Sequence, residues 1–253
     1  MPNQRLSYQT RGTGPALVFL HGFMESSTMW DYVSLQTLPN QQIFIDLPGH
    51  GQSDLLTGDG DPSMQQMAEH VSEVLSDLGI EQFDVVGHSM GGYVALELKQ
   101  MLPGCARVVL LNSNFWADSE EKKRDRIRVA DLAFKAKELL VQQAIPGLFF
   151  RKEQDKVACQ ALIQEARRLL PESIAYAALA MRNRKDHTGT VVSFPNDFIM
   201  IHGENDPLVS MALLLERTSD LPIRVHPLSD AGHMAHIEQG SEIPKVLLAF
   251  LNE

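Results

Sequence analysis

Short apolar runs alternate with helical periodicities along the first part of the chain. The runs are Ala16–Leu20 (ALVFL), Ile43–Leu47 (IFIDL), Phe83–Gly87 (FDVVG) and Arg107–Leu111 (RVVLL), and two more follow late, Phe198–His202 (FIMIH) and Ile223–Leu228. Continuous apolar runs of this length predict strands buried on both faces, as in a parallel sheet. Leu6–Thr10 predicts an antiparallel edge strand before them. Between the second and third runs, Ser63 and Gln66 form a capping-box pair. Met67, Val71, Val74, Leu75 and Leu78 then recur at helical spacing, and Gly79 stands where a helix ends. Met90–Met101 and Glu242–Leu251 predict further helices. The alternation implies an α/β fold, a doubly wound and mostly parallel sheet.

The strand rhythm stops at about Asn114 and resumes at Asp197. The intervening stretch carries helical patterns at Ile127–Gln143, Val157–Leu170 and Ile174–Arg184, with Pro146–Gly147 and Pro171 as breakers. The expected organisation is therefore a core of residues 1–114 and 191–253, with residues 115–190 as a helical cap insertion over the end of the sheet. Gly12-Thr13-Gly14 lacks the rest of any phosphate-loop motif and is expected to be a hairpin turn.

At 253 residues the chain is long enough for one sheet covered on both faces. Its two cysteines do not suggest a disulfide framework. The N-terminal stretch lacks the features of a signal peptide, and no apolar run is long enough for a membrane span, so a cytoplasmic location is expected. A net charge of −10 argues against non-specific binding to nucleic acid. That charge is uneven: residues 115–190 hold 15 Lys/Arg against 11 Asp/Glu, and the remainder holds 7 against 21. A positive cap over an acidic body implies an anionic substrate, unless those cations simply face water. The mixed-sign run Ser119–Arg128 reads as a solvated helix face.

The strongest chemical signal is Gly87-His88-Ser89-Met90-Gly91, between an apolar strand and a helical pattern. A serine on a sharp strand-to-helix turn needs small residues two positions to either side, and Gly87 and Gly91 provide them. The hydroxyl needs a base, and the base needs an orienting carboxylate. Asp206 leaves the strand that ends at His202-Gly203, and His233 follows the last strand by a short loop. His236 competes with His233 as base, and Asp230 and Asp118 compete with Asp206 as acid. His21 and His50 sit in glycine-flanked loops and read as braces, while His202 reads as structural. No metal-ligand spacing stands out among the histidines and cysteines. Phe115 and Trp116 stand at the cap entrance, either lining an acyl pocket or packing.

These motifs resemble the α/β-hydrolase superfamily, in its serine-nucleophile, esterase-like branch with a helical cap. The resemblance covers nearly the whole chain and includes His21-Gly22-Phe23, Asp46-Leu47-Pro48-Gly49-His50-Gly51-Gln52-Ser53, Gly203-Glu204-Asn205-Asp206-Pro207 and Gly232-His233. It implies Ser89, Asp206 and His233 as catalytic residues, His233 being preferred because the glycine precedes it. It also implies an oxyanion hole from the Phe23 and Met90 backbone N–H groups, no cofactor, and a small-molecule ester cleaved through an acyl-enzyme. The same residues leave open carbon–carbon bond hydrolysis, a lyase reaction as in menaquinone biosynthesis, cofactor-free perhydrolase or haloperoxidase chemistry, and a non-catalytic ligand receptor.

Overall fold

The computed structural model describes residues 5–55 and 60–252. The first four residues of the stretch read for leader features lie outside it. Seven strands form one sheet: β1 Tyr8–Arg11, β2 Ala16–Leu20, β3 Gln41–Ile45, β4 Phe83–His88, β5 Cys105–Leu111, β6 Phe198–Gly203 and β7 Arg224–Leu228. Their order is β1-β3-β2-β4-β5-β6-β7. Only β1 is antiparallel, paired to β3 through Tyr8↔Ile45 and Thr10↔Ile43. The remaining pairings are parallel. Gly12 and Gly14 both have positive φ and carry the chain from β1 to β2. Those two strands are not neighbours, so the expected hairpin is instead a turn that spans β3.

Alternate side chains separate the two faces, as strand pleating requires. Val18, Leu20, Ile43, Ile45, Val85 and Val108 enter one apolar cluster. Leu17, Phe19, Phe44, Val86, Val109 and Leu111 enter another. The first face is covered by α1 (Met64–Asp77) and α2 (Met90–Met101). Ser63 and Gln66 close a capping box on α1, and Gly79 takes a φ of 67° just past its end. The second face is covered by α10 (Ile243–Leu251) and a 3-10 turn over Ser27–Tyr32, whose Trp30 meets Phe19 edge-on. β7 departs from the expected two-faced burial: it is the edge strand, and only Leu228 within it is buried.

Between β5 and β6 the chain is helical: α3 Glu120–Lys135, α4 Lys137–Ala144, α5 Lys156–Arg168, α6 Pro171–Arg182 and α7 Thr188–Ser193. The single helix expected over Ile127–Gln143 is two, because Ala136 leaves helical geometry at φ −156° and ψ 47°. The charged run forms the first turns of α3, capped by Ser119. α3, α4 and α5 build an apolar cluster of their own, joined from the sheet side by Met24 and Met234. α6 reaches both layers, since Tyr176, Ala177, Ala180 and Met181 pack with the sheet. Short α8 (Met211–Thr218) and α9 (Ala235–Glu238) follow β6 and β7. No helix among the described residues is long and apolar enough to cross a membrane.

Candidate active site

The C-terminal ends of β2, β4, β6 and β7 open on one edge of the sheet, where ligands of open α/β sheets bind. Ser89 follows β4 immediately and takes φ 48°, ψ −111°, a conformation that non-glycine residues rarely adopt. The turn leaves no space at its flanks. A Cβ on Gly87 would run into the Gly91 backbone, and one on Gly91 into the Leu20 carbonyl. The Ser89 N–H donates to Leu111 O at 3.0 Å, and Ser113 Oγ donates to Ser89 O at 2.8 Å.

His233 Nε2 lies 2.9 Å from Ser89 Oγ, and its Nδ1 lies 2.8 Å from Asp206 Oδ2. A carboxylate only accepts, so Nδ1 carries the proton and Nε2 is left to accept from the serine hydroxyl. Asp206 also accepts from Asn112 Nδ2 at 2.8 Å, Leu208 N at 2.8 Å and Val209 N at 3.2 Å. Burial alone would raise its carboxyl. The charge and hydrogen bond of His233, with His202 and Asn112, outweigh that and hold it well below the usual carboxylate range.

The loop after β2 is shaped by its own side chains. His21 Nε2 accepts from Leu47 N at 2.8 Å, which leaves Nδ1 as the donor to Gly22 O, also at 2.8 Å. Burial keeps this imidazole neutral by lowering its pKa, as that tautomer requires. Gly22 O also accepts from Glu25 N at 3.4 Å. In a trans peptide the N–H points opposite the C=O, so anchoring this carbonyl fixes the direction of the Phe23 N–H. Met90 is the first residue of α2, where helix amides have no intrahelical partner and favour negative charge.

The competing residues lie elsewhere. His236 is fully buried with Nε2 3.3 Å from Glu25 Oε1, and burial pushes its pKa down to about 3. Asp230 is an exposed turn residue with φ 54°. Asp118 is bridged by Arg184 at 2.6 Å and Arg126 at 3.2 Å. Three groups around the site are not apparent in the sequence motifs. One is Asn112, at φ 44° just past β5. The second is Glu238, whose carboxylate accepts from Phe150 N, Arg151 N and Gly232 N. The third is the Glu25–His88 pair, with Glu25 Oε2 2.8 Å from His88 Nδ1. Glu25, His88 and His236 offer atoms within 4.8 Å of one another, a spacing that suits a metal ion. Two of those atoms, Glu25 Oε2 and His88 Nδ1, are hydrogen-bonded directly to each other.

A cavity of about 450 Å³ opens onto Ser89 and His233. Its apolar lining includes Met24, Val129, Leu140, Leu162 and Met234, and its charged lining includes Lys122, Arg126, Arg184 and Arg217 beside Asp118 and Asp125. Trp116 lines it, whereas Phe115 is buried in the sheet layer and meets Trp116 edge-on.

Residues 17–243 match the model of the alpha/beta hydrolase family. A 2-succinyl-6-hydroxy-2,4-cyclohexadiene-1-carboxylate synthase of Salmonella typhimurium is 25% identical over 249 residues, covering 94% of both chains. An uncharacterized protein of Mycobacterium tuberculosis is 34% identical over 111 residues, and the matched stretch spans about a third of that protein's length. Among solved structures, a thermophilic esterase from Thermogutta terrifontis, with malate bound, superposes with a TM-score of 0.89. It is 25% identical, covering 98% of this chain and 93% of that one. The enol-lactonase from Burkholderia xenovorans shares the fold, with a TM-score of 0.84 at 22% identity, covering 98% and 96%.

Proposed function

Because the chain belongs to the alpha/beta hydrolase family, we propose that it is a serine hydrolase of carboxylic esters, with Ser89 as nucleophile, His233 as base and Asp206 as its orienting acid. The observation that carries this reading is the unbroken chain of contacts from Asp206 Oδ2 through His233 to Ser89 Oγ, at 2.8 and 2.9 Å, facing a cavity. His233 takes the serine proton as Oγ attacks the ester carbonyl. The Phe23 and Met90 amides receive the oxyanion, and His233 then gives the proton to the departing alcohol. Water activated by the same imidazole releases the acid. Helices α3–α6 act as the cap, supplying the cavity roof.

The neighbours, an esterase and an enol-lactonase, favour an acyclic or cyclic ester. The cations that line the cavity favour an anionic group on it. Asp118 offsets two of the four cations there. Lys122 and Arg217 are exposed and have no carboxylate partner among the described residues. Neighbouring Lys123 is engaged with Glu120, and Arg124 does not line the cavity. A second reading, elimination or carbon–carbon bond chemistry, draws support from the synthase that matches end to end. A panel of p-nitrophenyl esters and lactones, run on the purified protein and on Ser89→Ala, tests the proposal. Stoichiometric labelling of Ser89 by a fluorophosphonate and an acyl-enzyme seen by mass spectrometry are expected. Esterase activity that survives Ser89→Ala overturns it.

A further inference from the structure

We infer that Glu25 and His88 are positioning residues, a buried carboxylate–imidazolium pair that sets the spacing between the oxyanion loop, the nucleophile and the base. The inference rests on the reading of Ser89 and His233 as the reacting pair. Both ring nitrogens of His88 face acceptors: Nδ1 meets Glu25 Oε2 at 2.8 Å, and Nε2 meets the backbone oxygen of His233 at 3.0 Å. A neutral imidazole has one donor, so with Glu25 ionised the two hydrogen bonds need both ring nitrogens protonated. The same Glu25 oxygen accepts from Gly22 N at 3.0 Å.

One hydrogen-bonded unit therefore touches three segments that are far apart in the chain. Glu25 folds the 21–25 loop back on itself, one peptide before the Phe23 N–H. His88 is bonded in the chain to Ser89. The His233 carbonyl belongs to the residue that carries the base. Both side chains are almost wholly buried, at 3% and 1% exposed. Burial alone would neutralise both groups. Each other's charge outweighs it, raising the His88 pKa and holding the Glu25 carboxyl at about 2. The groups packed around His88 fit a retained charge. Glu25 faces it directly. The rings of His233 and His236 lie at 5.2 and 4.8 Å between centroids, and Asp206 adds a further favourable charge.

The test uses ¹⁵N-histidine-labelled full-length protein at neutral pH, together with Glu25→Gln, His88→Gln and the double variant. In the wild type the His88 ring is expected to show both nitrogens protonated. A single neutral tautomer would overturn the inference without any variant having to fold. Each single variant, confirmed as folded by circular dichroism, is expected to lose roughly 10–100-fold in kcat on a p-nitrophenyl ester, with KM within about threefold, because displacement of reacting groups acts on turnover. Phosphonylation of Ser89 should slow in parallel. The double variant removes both charges together and is expected to regain thermal stability but not kcat. Recovery of kcat in the double variant would overturn the inference, as would a stoichiometric metal at this cluster. Turnover that survives Ser89→Ala would instead refute the esterase reading. The ring signature and the phosphonylation rates would still report on the pair.

Discussion

Asn112 donates its side-chain amide to Asp206 at 2.8 Å and to the carbonyl of Gly232 at 3.0 Å, tying the proposed acid to the residue before the proposed base. A hydrogen bond to a buried charge contributes about 1.5–3 kcal/mol. Asn112→Ala should therefore reduce kcat by roughly tenfold or more while KM stays nearly constant. Steady-state kinetics with an activated ester checks this. An unchanged kcat would mean that the two backbone amides hold Asp206 without help.

The acid and the base separate cleanly from their competitors by substitution. His233→Ala and Asp206→Asn should each lose on the order of 10⁴-fold in kcat. Asp230→Asn, at an exposed turn, should stay within about twofold, since surface changes away from special features have small effects. Equal losses at Asp206 and Asp230 would put the assignment of the acid in error.

Salt separates the two roles open to the cavity's cations. If Lys122 and Arg217 draw in an anionic ester, its kcat/KM should fall as salt rises, while that of a neutral ester of the same size stays flat. Lys122→Gln with Arg217→Gln should flatten the first curve. Identical salt dependence for both esters would leave these residues as solvated surface.

Buried neutral histidines make stability depend on pH. Burial holds His50 and His236 at about 3, against 6.5 for an unhindered imidazole. Between those values the unfolded chain binds more protons, so stability rises with pH across that window and is lost on acidification. At pH 5 each group costs about 2 kcal/mol relative to neutral pH. Asp206 and Glu25 are shifted down as carboxylates, and their contribution is lost only at lower pH, below the ordinary carboxylate range. Thermal melts from pH 7 to 5 should show a steep fall in Tm, and His50→Gln should make it shallower. A slope unaltered by His50→Gln would place the proton uptake elsewhere.

Glu238 joins the 148–151 turn to the base loop by accepting three backbone N–H groups. Glu238→Ala leaves those donors unpaired and should cost about 3 kcal/mol or more. In a chain of this size that lowers Tm by roughly 6–12 °C. Differential scanning calorimetry measures it, and a loss below 1 kcal/mol would mean that water replaces the carboxylate.

The features legible from the sequence are those whose physics is local. The continuous apolar run Ala16–Leu20 and the capping box of Ser63 and Gln66 are determined within a few residues, and the structure shows both a strand buried on both faces and the box. The Gly87–Gly91 spacing likewise records a steric need inside one turn. What escaped depends on tertiary placement. Glu25 and His88 are 63 positions apart, and neither carries a local signal for the other. Arg217 reaches the cavity from α8, outside the segment whose charge balance drew attention. The break at Ala136 falls on the residue type with the best helix propensity, so it has no local signal; α4 packs against both α3 and α5 there. β7 reads as a core strand by composition, yet its edge position leaves it largely exposed.

The apolar cluster of α3, α4 and α5 meets the sheet side through Met24, Met234 and α6, whose Ile174 joins it while Tyr176 and Met181 pack with the sheet. Taken as the roof of the cavity, these helices keep much of their interior apart from the strands that precede Ser89, Asp206 and His233. Amide hydrogen exchange should therefore record two rates of protection, faster in 120–168 than in β4 and β5. Substitutions on the inner side of that roof, at Val129, Leu140 or Leu162, would then resize the chamber while the reacting groups keep their distances. In such a molecule the range of accepted acyl groups can drift between relatives at little cost to the chemistry beneath.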